Sequence, residues 1–362
     1  MNKEIFEMKL SINTACVFNC KYCFVDKKKV DVPMNIEIAK KSANLFITSP
    51  GKDKILKIYG GEPLMNFALV QEIAPYITAL AKKNDKNLSL SLCTNAALLN
   101  QQHIEFFKRY KFQLAVSFDG RRQTNDKYRQ FKNGMGTHDI IVRNIKKLIK
   151  EITTRNFAVN MSVTPSEAKN IFKNFSYILS LGADTVNIEP IYGFEKWSAA
   201  KLKIFSDQMR LVNAFIFKEI MNKNFIFSTT IDRELRYKTL SRCREGDCLF
   251  GQLSEIYPNG DMTFSSFFLN LPVEMHDKYV IGNVNSGLFK EQYSKCVFDN
   301  KSNKCIKCRE AYFDASDLSL SSGPVNVRNN MSILMSEEIE RMAKENEVFN
   351  EYILEAKKHI CF

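Results

Sequence analysis

Histidine is scarce in this chain of 362 residues: His103, His138, His276 and His359 are all there is, and no two are near each other in sequence. A histidine-built metal centre is therefore not expected. No apolar run reaches the roughly 18 residues that a membrane-spanning helix needs. The N-terminus, MNKEIFEMKLSI, has neither a long apolar stretch nor a small-residue cleavage site, so it does not read as a signal peptide. The cytoplasm is the expected compartment, with no membrane partner. Low-complexity segments are missing too. The net charge is +12, which could suit nucleic acid, an acidic peptide or an acidic electron carrier. There is no basic-aromatic stripe and no nucleic-acid motif, so the charge reads as a solvated, Lys-rich surface and no nucleic-acid partner is expected.

Cysteine is what the chain has instead, with ten residues. In a reducing compartment, clustered cysteines argue for metal or catalysis rather than disulfides. Cys16, Cys20 and Cys23 lie near the start, and Cys243, Cys248, Cys296, Cys305 and Cys308 in the last third. Cys93 and Cys361 stand alone, and Cys93 reads as a small buried hydrophobe inside a strand.

Strand and helix signals alternate over the first part of the chain. Short apolar or β-branched runs at 8–12, 55–59, 88–94, 112–118, 157–164 and 185–189 read as strands. Between and after them, 35–47, 68–82, 101–110, 139–150, 167–181 and 199–221 read as helices, with apolar residues three or four apart. Repeated βα units imply an α/β fold with a parallel sheet under helices. Six units rather than eight suit a partial (β/α)6, TIM-like barrel. The expected division is 1–224 for the barrel, 225–320 for a small loop-rich module, and 321–362 for a linker and a terminal amphipathic helix at 336–360. Strand-like runs within the module fall at 254–257, 262–264 and 279–281. A bound metal group could staple such a module.

The segment TACVFNCKYCF places Cys16, Cys20 and Cys23 in the loop after the first strand. That is the edge where parallel sheets hold their ligands. Three thiolates leave one iron of a [4Fe–4S] cluster open to an outside ligand; a zinc ion with one open position is the alternative. The CxxxCxxC spacing, with Tyr22 before the last cysteine, resembles the signature of the radical S-adenosylmethionine superfamily. The resemblance implies that the open iron binds the amino group and carboxylate of S-adenosylmethionine. Cleavage of the C5′–S bond then gives a 5′-deoxyadenosyl radical, and Tyr22 packs against the adenine.

Further motifs extend the resemblance. Gly60, Gly61, Glu62 and Pro63 end the second strand, where the family binds the methionine ammonium by backbone carbonyls while the glutamate shapes the loop. Thr94 and Asn95 end the third strand and would line the pocket; Ala96 stands where the family often has glycine. Ser117, in SFDG, would contact the ribose, and Arg129 would pair with the methionine carboxylate, a bidentate match. Asn125 stands where histidine is common. Asn187 and Glu189 end the sixth strand and are candidates for ribose or substrate.

Cys243, Cys248, Cys305 and Cys308 resemble the SPASM and twitch extensions of the same superfamily, which carry auxiliary [4Fe–4S] clusters. Ser265 and Ser266 stand where a full SPASM domain has a cysteine. Two auxiliary clusters need about eight ligands, so one is expected, with zinc as the alternative and Cys296 as a spare or replacement. By resemblance the substrate is a ribosomally made peptide, changed by crosslinking, thioether formation or epimerisation. The chain begins almost at the first strand, so leader recognition is expected from another protein or surface. A reductant such as flavodoxin or ferredoxin is implied. The alternatives are a sulfatase-maturing oxidase, whose general base is unassigned, a small-molecule radical dehydrogenase, and a zinc protein that binds nucleic acid.

Overall fold

The structure is a computed structural model describing residues 4–25, 33–153, 156–191, 194–228, 253–263, 277, 280–288, 298–299, 304–305 and 347–356. Its frame is a row of parallel strands in chain order: β1 (Glu7–Ser11), β2 (Asp53–Tyr59), β3 (Asn87–Thr94), β4 (Gln113–Ser117), β5 (Phe157–Val163) and β6 (Val186–Pro190). One face of this row packs under helices, and the opposite face encloses a cavity lined from all of these strands. The sheet is thus curled into a partial barrel rather than lying flat.

The helices are α1 (Ile36–Thr48), α2 (Phe67–Lys83), α3 (Gln101–Arg109), α4 (Arg122–Tyr128), α5 (His138–Glu151), α6 (Ile171–Ser180) and α7 (Ala199–Met221). Local chemistry sets their ends. Asn35 caps α1 by accepting from the Ile38 N–H, and Asn100 and His103 form a reciprocal capping box on α3. His103 is spent on that cap. On α5, Ile141, Ile145 and Leu148 bury one stripe against the sheet. The helix expected from 167 starts instead as a 3-10 turn, Pro165–Asn170, because Pro165 fixes the first turn. The short α4 has no counterpart in the periodicity. Residues 63–83, covering α2, are long and apolar enough to cross a membrane by length and composition. Phe67, Leu69, Val70, Ile73, Ala74, Ile77 and Ala81 are nevertheless buried in the barrel's core.

The sheet does not stop at β1. β7 (Leu253–Ile256) pairs with it in parallel, placing Lys9 opposite Glu255. A turn at Pro258–Gly260 leads to β8 (Asp261–Thr263), with β9 (Gly282–Asn283) and β10 (Gly287–Leu288) beyond it, all antiparallel. The strand expected at 279–281 thus begins at Gly282. Of the expected terminal helix, residues 347–356 form α8 (Glu347–Ala356). Its Phe349 and Tyr352 are buried against Phe217 and Phe227, with ring centroids 6.0 and 5.3 Å apart. The linker expected from 321 lies outside the described residues.

One ion ties the start of this frame together. Lys54, at the base of β2, is 1% exposed. Its ammonium donates to the Ile5 carbonyl at 2.7 Å, the Ser49 hydroxyl at 2.7 Å and the Pro50 carbonyl at 2.6 Å. Burial, with Lys86 nearby, pulls its pKa down to about 8. Lys54→Met removes the ammonium donor from the buried Ile5 carbonyl, so it should destabilise the chain by about 2 kcal/mol in denaturant unfolding. The unfolded state holds this proton more tightly than the folded state between pH 8 and the ordinary lysine range. The stability of the unaltered chain relative to Lys54→Met should therefore rise with pH across that interval; a flat difference contradicts this account.

Candidate functional site

Past the ends of β1 and β2 the parallel ladder continues into the loops. Ile12 N–H donates to the Tyr59 carbonyl (2.9 Å), Gly61 N–H to Asn13 (2.9 Å) and Glu62 N–H to Ala15 (2.8 Å). This fit requires glycine. A Cβ on Gly60, whose φ is +137°, would lie 2.3 Å from the Asn13 carbonyl oxygen, and one on Gly61 would lie 2.2 Å from that of Ala15. The two glycines thus let the second strand grip the backbone that delivers Cys16.

Glu62 locks the grip. Its side chain is fully buried and accepts from Leu64 N–H (3.0 Å), Thr94 Oγ1 (2.7 Å) and Asn95 N–H (2.7 Å). Burial raises its pKa to about 7, against the pull of these donors. The carboxylate therefore ties the β2 end to the β3 end. Asn95 Nδ2 in turn donates to Cys16 Sγ at 3.4 Å. Ala96, at the position where the family often has glycine, takes a left-handed φ of +61°.

The cysteine loop is gripped from its other side by the segment after α4. Asn19 N–H donates to the Gln130 carbonyl (2.7 Å) and Lys21 N–H to that of Tyr128 (3.0 Å), and Phe18 meets Phe131 edge-on at 5.1 Å. Cys16, Cys20 and Cys23 all line the barrel cavity. Burial pushes the Cys16 thiol up to about 11 and that of Cys20 to about 12. Three half-buried thiols facing one cavity suit a cationic metal group that displaces their protons. Among the described residues, no three Cys, His, Asp or Glu side chains come together closely enough for a single metal ion. An iron–sulfur cluster takes each thiolate on a different iron, so three thiols spread over one loop can serve it. The donor set fits a cluster.

Arg129 reaches the same cavity. Its Nε and Nη2 lie 3.1 Å from the two oxygens of Asp119, which is buried behind it. Burial alone would lower the Arg129 pKa, but the Asp119 charge beside it carries it well above the ordinary value. Asp119 also accepts from Ser162 N–H (3.0 Å) and from the Tyr22 hydroxyl. Asn125 supports this turn through the Asp119 N–H at 3.4 Å and Thr137 at 3.0 Å. The asparagine therefore has a structural place of its own.

The cavity measures about 410 Å³. It collects Tyr22, Gly60, Gly61, Thr94, Asn95, Ser117, Arg129 and Glu189 from the sequence expectations. Glu62 and Pro63 support it from behind. Asn187 does not line it; its amide donates to Asn160 at 2.7 Å. Lys9, Tyr59, Cys93, Asn160 and Ser162 do line it and are not among those expectations. Their signal is a polar residue at alternate positions of otherwise buried strands, as in FAVNMSV of β5. Cys93, expected to be buried, is half-exposed into the cavity, 3.7 Å from Ser117 Oγ. Cys243, Cys248, Cys296, Cys308 and Cys361 lie outside the described residues; of Cys305 only its place in the strand Lys304–Cys305 is described.

Two substitutions probe this construction. Glu62→Gln turns one acceptor into a donor facing Asn95 N–H, and should lower S-adenosylmethionine affinity about tenfold in equilibrium dialysis and cost about 2 kcal/mol in unfolding. Asp119→Asn removes the charge behind Arg129. It should weaken the same affinity about tenfold, and unchanged binding would show that Arg129 positions itself without it.

Residues 10–175 match the family model described as the Radical SAM superfamily. A radical SAM cyclopropyl synthase from Paramaledivibacter caminithermalis is 27% identical over 164 residues, 39% of this chain and 34% of that protein. A cysteine-type anaerobic sulfatase-maturating enzyme from Clostridium novyi is 24% identical over 321 residues, 81% of each. The solved structure of polyhistidine-tagged anSMEcpe with bound AdoMet matches with a TM-score of 0.72 at 17% identity, covering 98% of this chain and 99% of that one. The native protein with bound AdoMet and Cp18Cys peptide gives 0.70, also at 17% identity, over 97% and 98%. That likeness is one of fold. The chain spans under half the length of the first curated relatives it matches, 42% and 34%. The family match starts within β1 and ends within α6, so it takes in the cysteine loop and most of the strands around the cavity, and over those residues the chain is similar to the radical SAM superfamily.

Proposed function

We propose that this chain cleaves S-adenosylmethionine reductively and uses the resulting radical on a peptide. The observation that carries the reading is the shared cavity. Three thiols from the loop after β1 face it together with the Gly60–Gly61 turn, Asn95, Ser117 and Arg129. When bound, a [4Fe–4S] cluster on Cys16, Cys20 and Cys23 supplies the electron that splits the cofactor into methionine and a 5′-deoxyadenosyl radical, which takes a hydrogen atom from the substrate. The protein's part is placement. Gly60 to Pro63 bring backbone carbonyls to the methionine ammonium, Arg129 receives the carboxylate, Ser117 serves the ribose and Tyr22 the adenine. Thr94, Asn95 and Glu189 shape the remaining wall, and Asn187 stands behind it, holding Asn160.

The substrate is taken to be a ribosomally made peptide. The cyclopropyl synthase, the sulfatase-maturating enzyme and the peptide complex of anSMEcpe support that reading. A second reading, a sulfatase-maturing oxidase, is favoured by the match that spans 81% of both chains. One auxiliary [4Fe–4S] cluster is assigned to Cys243, Cys248, Cys305 and Cys308. The divisions 1–224, 225–320 and 321–362, a flavodoxin or ferredoxin reductant, a separate leader-recognition protein and a cytoplasmic location belong to the same proposal.

Anaerobically reconstituted chain should hold about eight irons and form 5′-deoxyadenosine with dithionite. Cys20→Ala should reduce the iron to about four and abolish that product. Four irons in the unaltered chain would remove the auxiliary cluster, and tight zinc in place of iron would favour the zinc reading. Mass analysis of a sulfatase-derived peptide after turnover separates the two enzymatic readings.

A further inference from the structure

Two cations line the cavity on different walls, and both have a buried acid behind them. Arg129 is backed by Asp119, which is 1% exposed and does not itself line the cavity. Lys9 lines the wall made by β1, and its ammonium lies 3.6 Å from Glu255 Oε2. Glu255 is 2% exposed, also stands outside the lining, and is fixed by accepting from Ser11 Oγ at 2.9 Å. The strand register sets Glu255 directly opposite Lys9, so the acid comes from β7 and the cation from β1. The ring of Tyr59, another lining residue, holds the ammonium at 4.7 Å from its centroid.

A buried acid behind a cation keeps the charge in place in a poorly solvated wall and orients it toward the space in front. On the reading above, Arg129 uses this arrangement to receive the carboxylate of the cofactor. Lys9 repeats it on the wall that the cofactor contacts do not use. We propose that Lys9 is a specificity-determining residue that receives a carboxylate of the substrate peptide. Glu255 and Tyr59 are its positioning residues. The acidic group would belong to the residue that is modified or to one beside it. This inference rests on the cavity being the site of S-adenosylmethionine and substrate. It goes further by stating which substrates are admitted and that β7 takes part in admitting them.

The test uses reconstituted full-length holoenzyme loaded with S-adenosylmethionine, immobilised and exposed anaerobically to a randomised library of short synthetic peptides. Peptides captured by the unaltered chain should show Asp and Glu enriched about fivefold at one position. Lys9→Gln should erase the enrichment and Lys9→Arg should keep it. The best captured peptide, remade with Asn or Gln in place of its acid, should bind the unaltered chain about fivefold more weakly. That comparison still decides the matter if Lys9→Gln fails to fold. No acidic enrichment, an enrichment that survives Lys9→Gln in a folded protein, or equal binding of the amide peptide overturns the inference. Formation of 5′-deoxyadenosine by the unaltered chain separates the two levels: without it the reading of the cavity falls and this inference with it, whereas product without acidic preference sinks this inference alone.

Discussion

The site depends on a parallel ladder that runs on after its strands have ended. Residues 12–15 stay hydrogen-bonded to 59–62, and the loop with three cysteines leaves from that paired edge. Two glycines make the contact close enough, since a Cβ on either would overlap a carbonyl oxygen. Glu62 then connects the pair to the end of β3 through two accepted hydrogen bonds, from Thr94 and Asn95. A loop held this way would have little freedom to lose on binding a cluster, which is a condition for a preorganised site.

The second grip comes from the segment after α4, which also brings Arg129 to the cavity. The cysteine loop and the arginine are thus parts of one clamped unit. Tyr22 joins them by donating to the same Asp119 that backs Arg129. A change at Asp119 therefore reaches both the aromatic wall and the cation. Hydrogen bonds of this kind in a buried setting are strong when complete and costly when broken.

Much of the barrel could be read from the chain. Short apolar runs alternating with 3.6-period stretches located β1 to β6 and all the long helices between them, because buried parallel strands and their covering helices each leave a periodic mark. Arg122–Tyr128 left none: it is too short for a periodicity, and its burial depends on Asn125 and Thr137 meeting across a loop. The extension through β7 was equally hidden. Leu253–Ile256 looks like any short strand, and nothing in it says that β1 is its partner.

The cysteine spacing, the glycine pair and Glu62 are local, so the sequence by itself determined that three thiols and a glycine turn meet at one strand edge. Their chemistry needs neighbouring residues in a fixed order, and such order survives in one dimension. Tertiary structure alone decided that Asp119 backs Arg129, that Asn187 turns to Asn160 instead of the cavity, and that Lys9 meets Glu255 across a separation of 246 residues in the numbering. Those outcomes follow from sheet register and the curl of the barrel. Both bring together side chains whose distance along the chain carries no information about their distance in space.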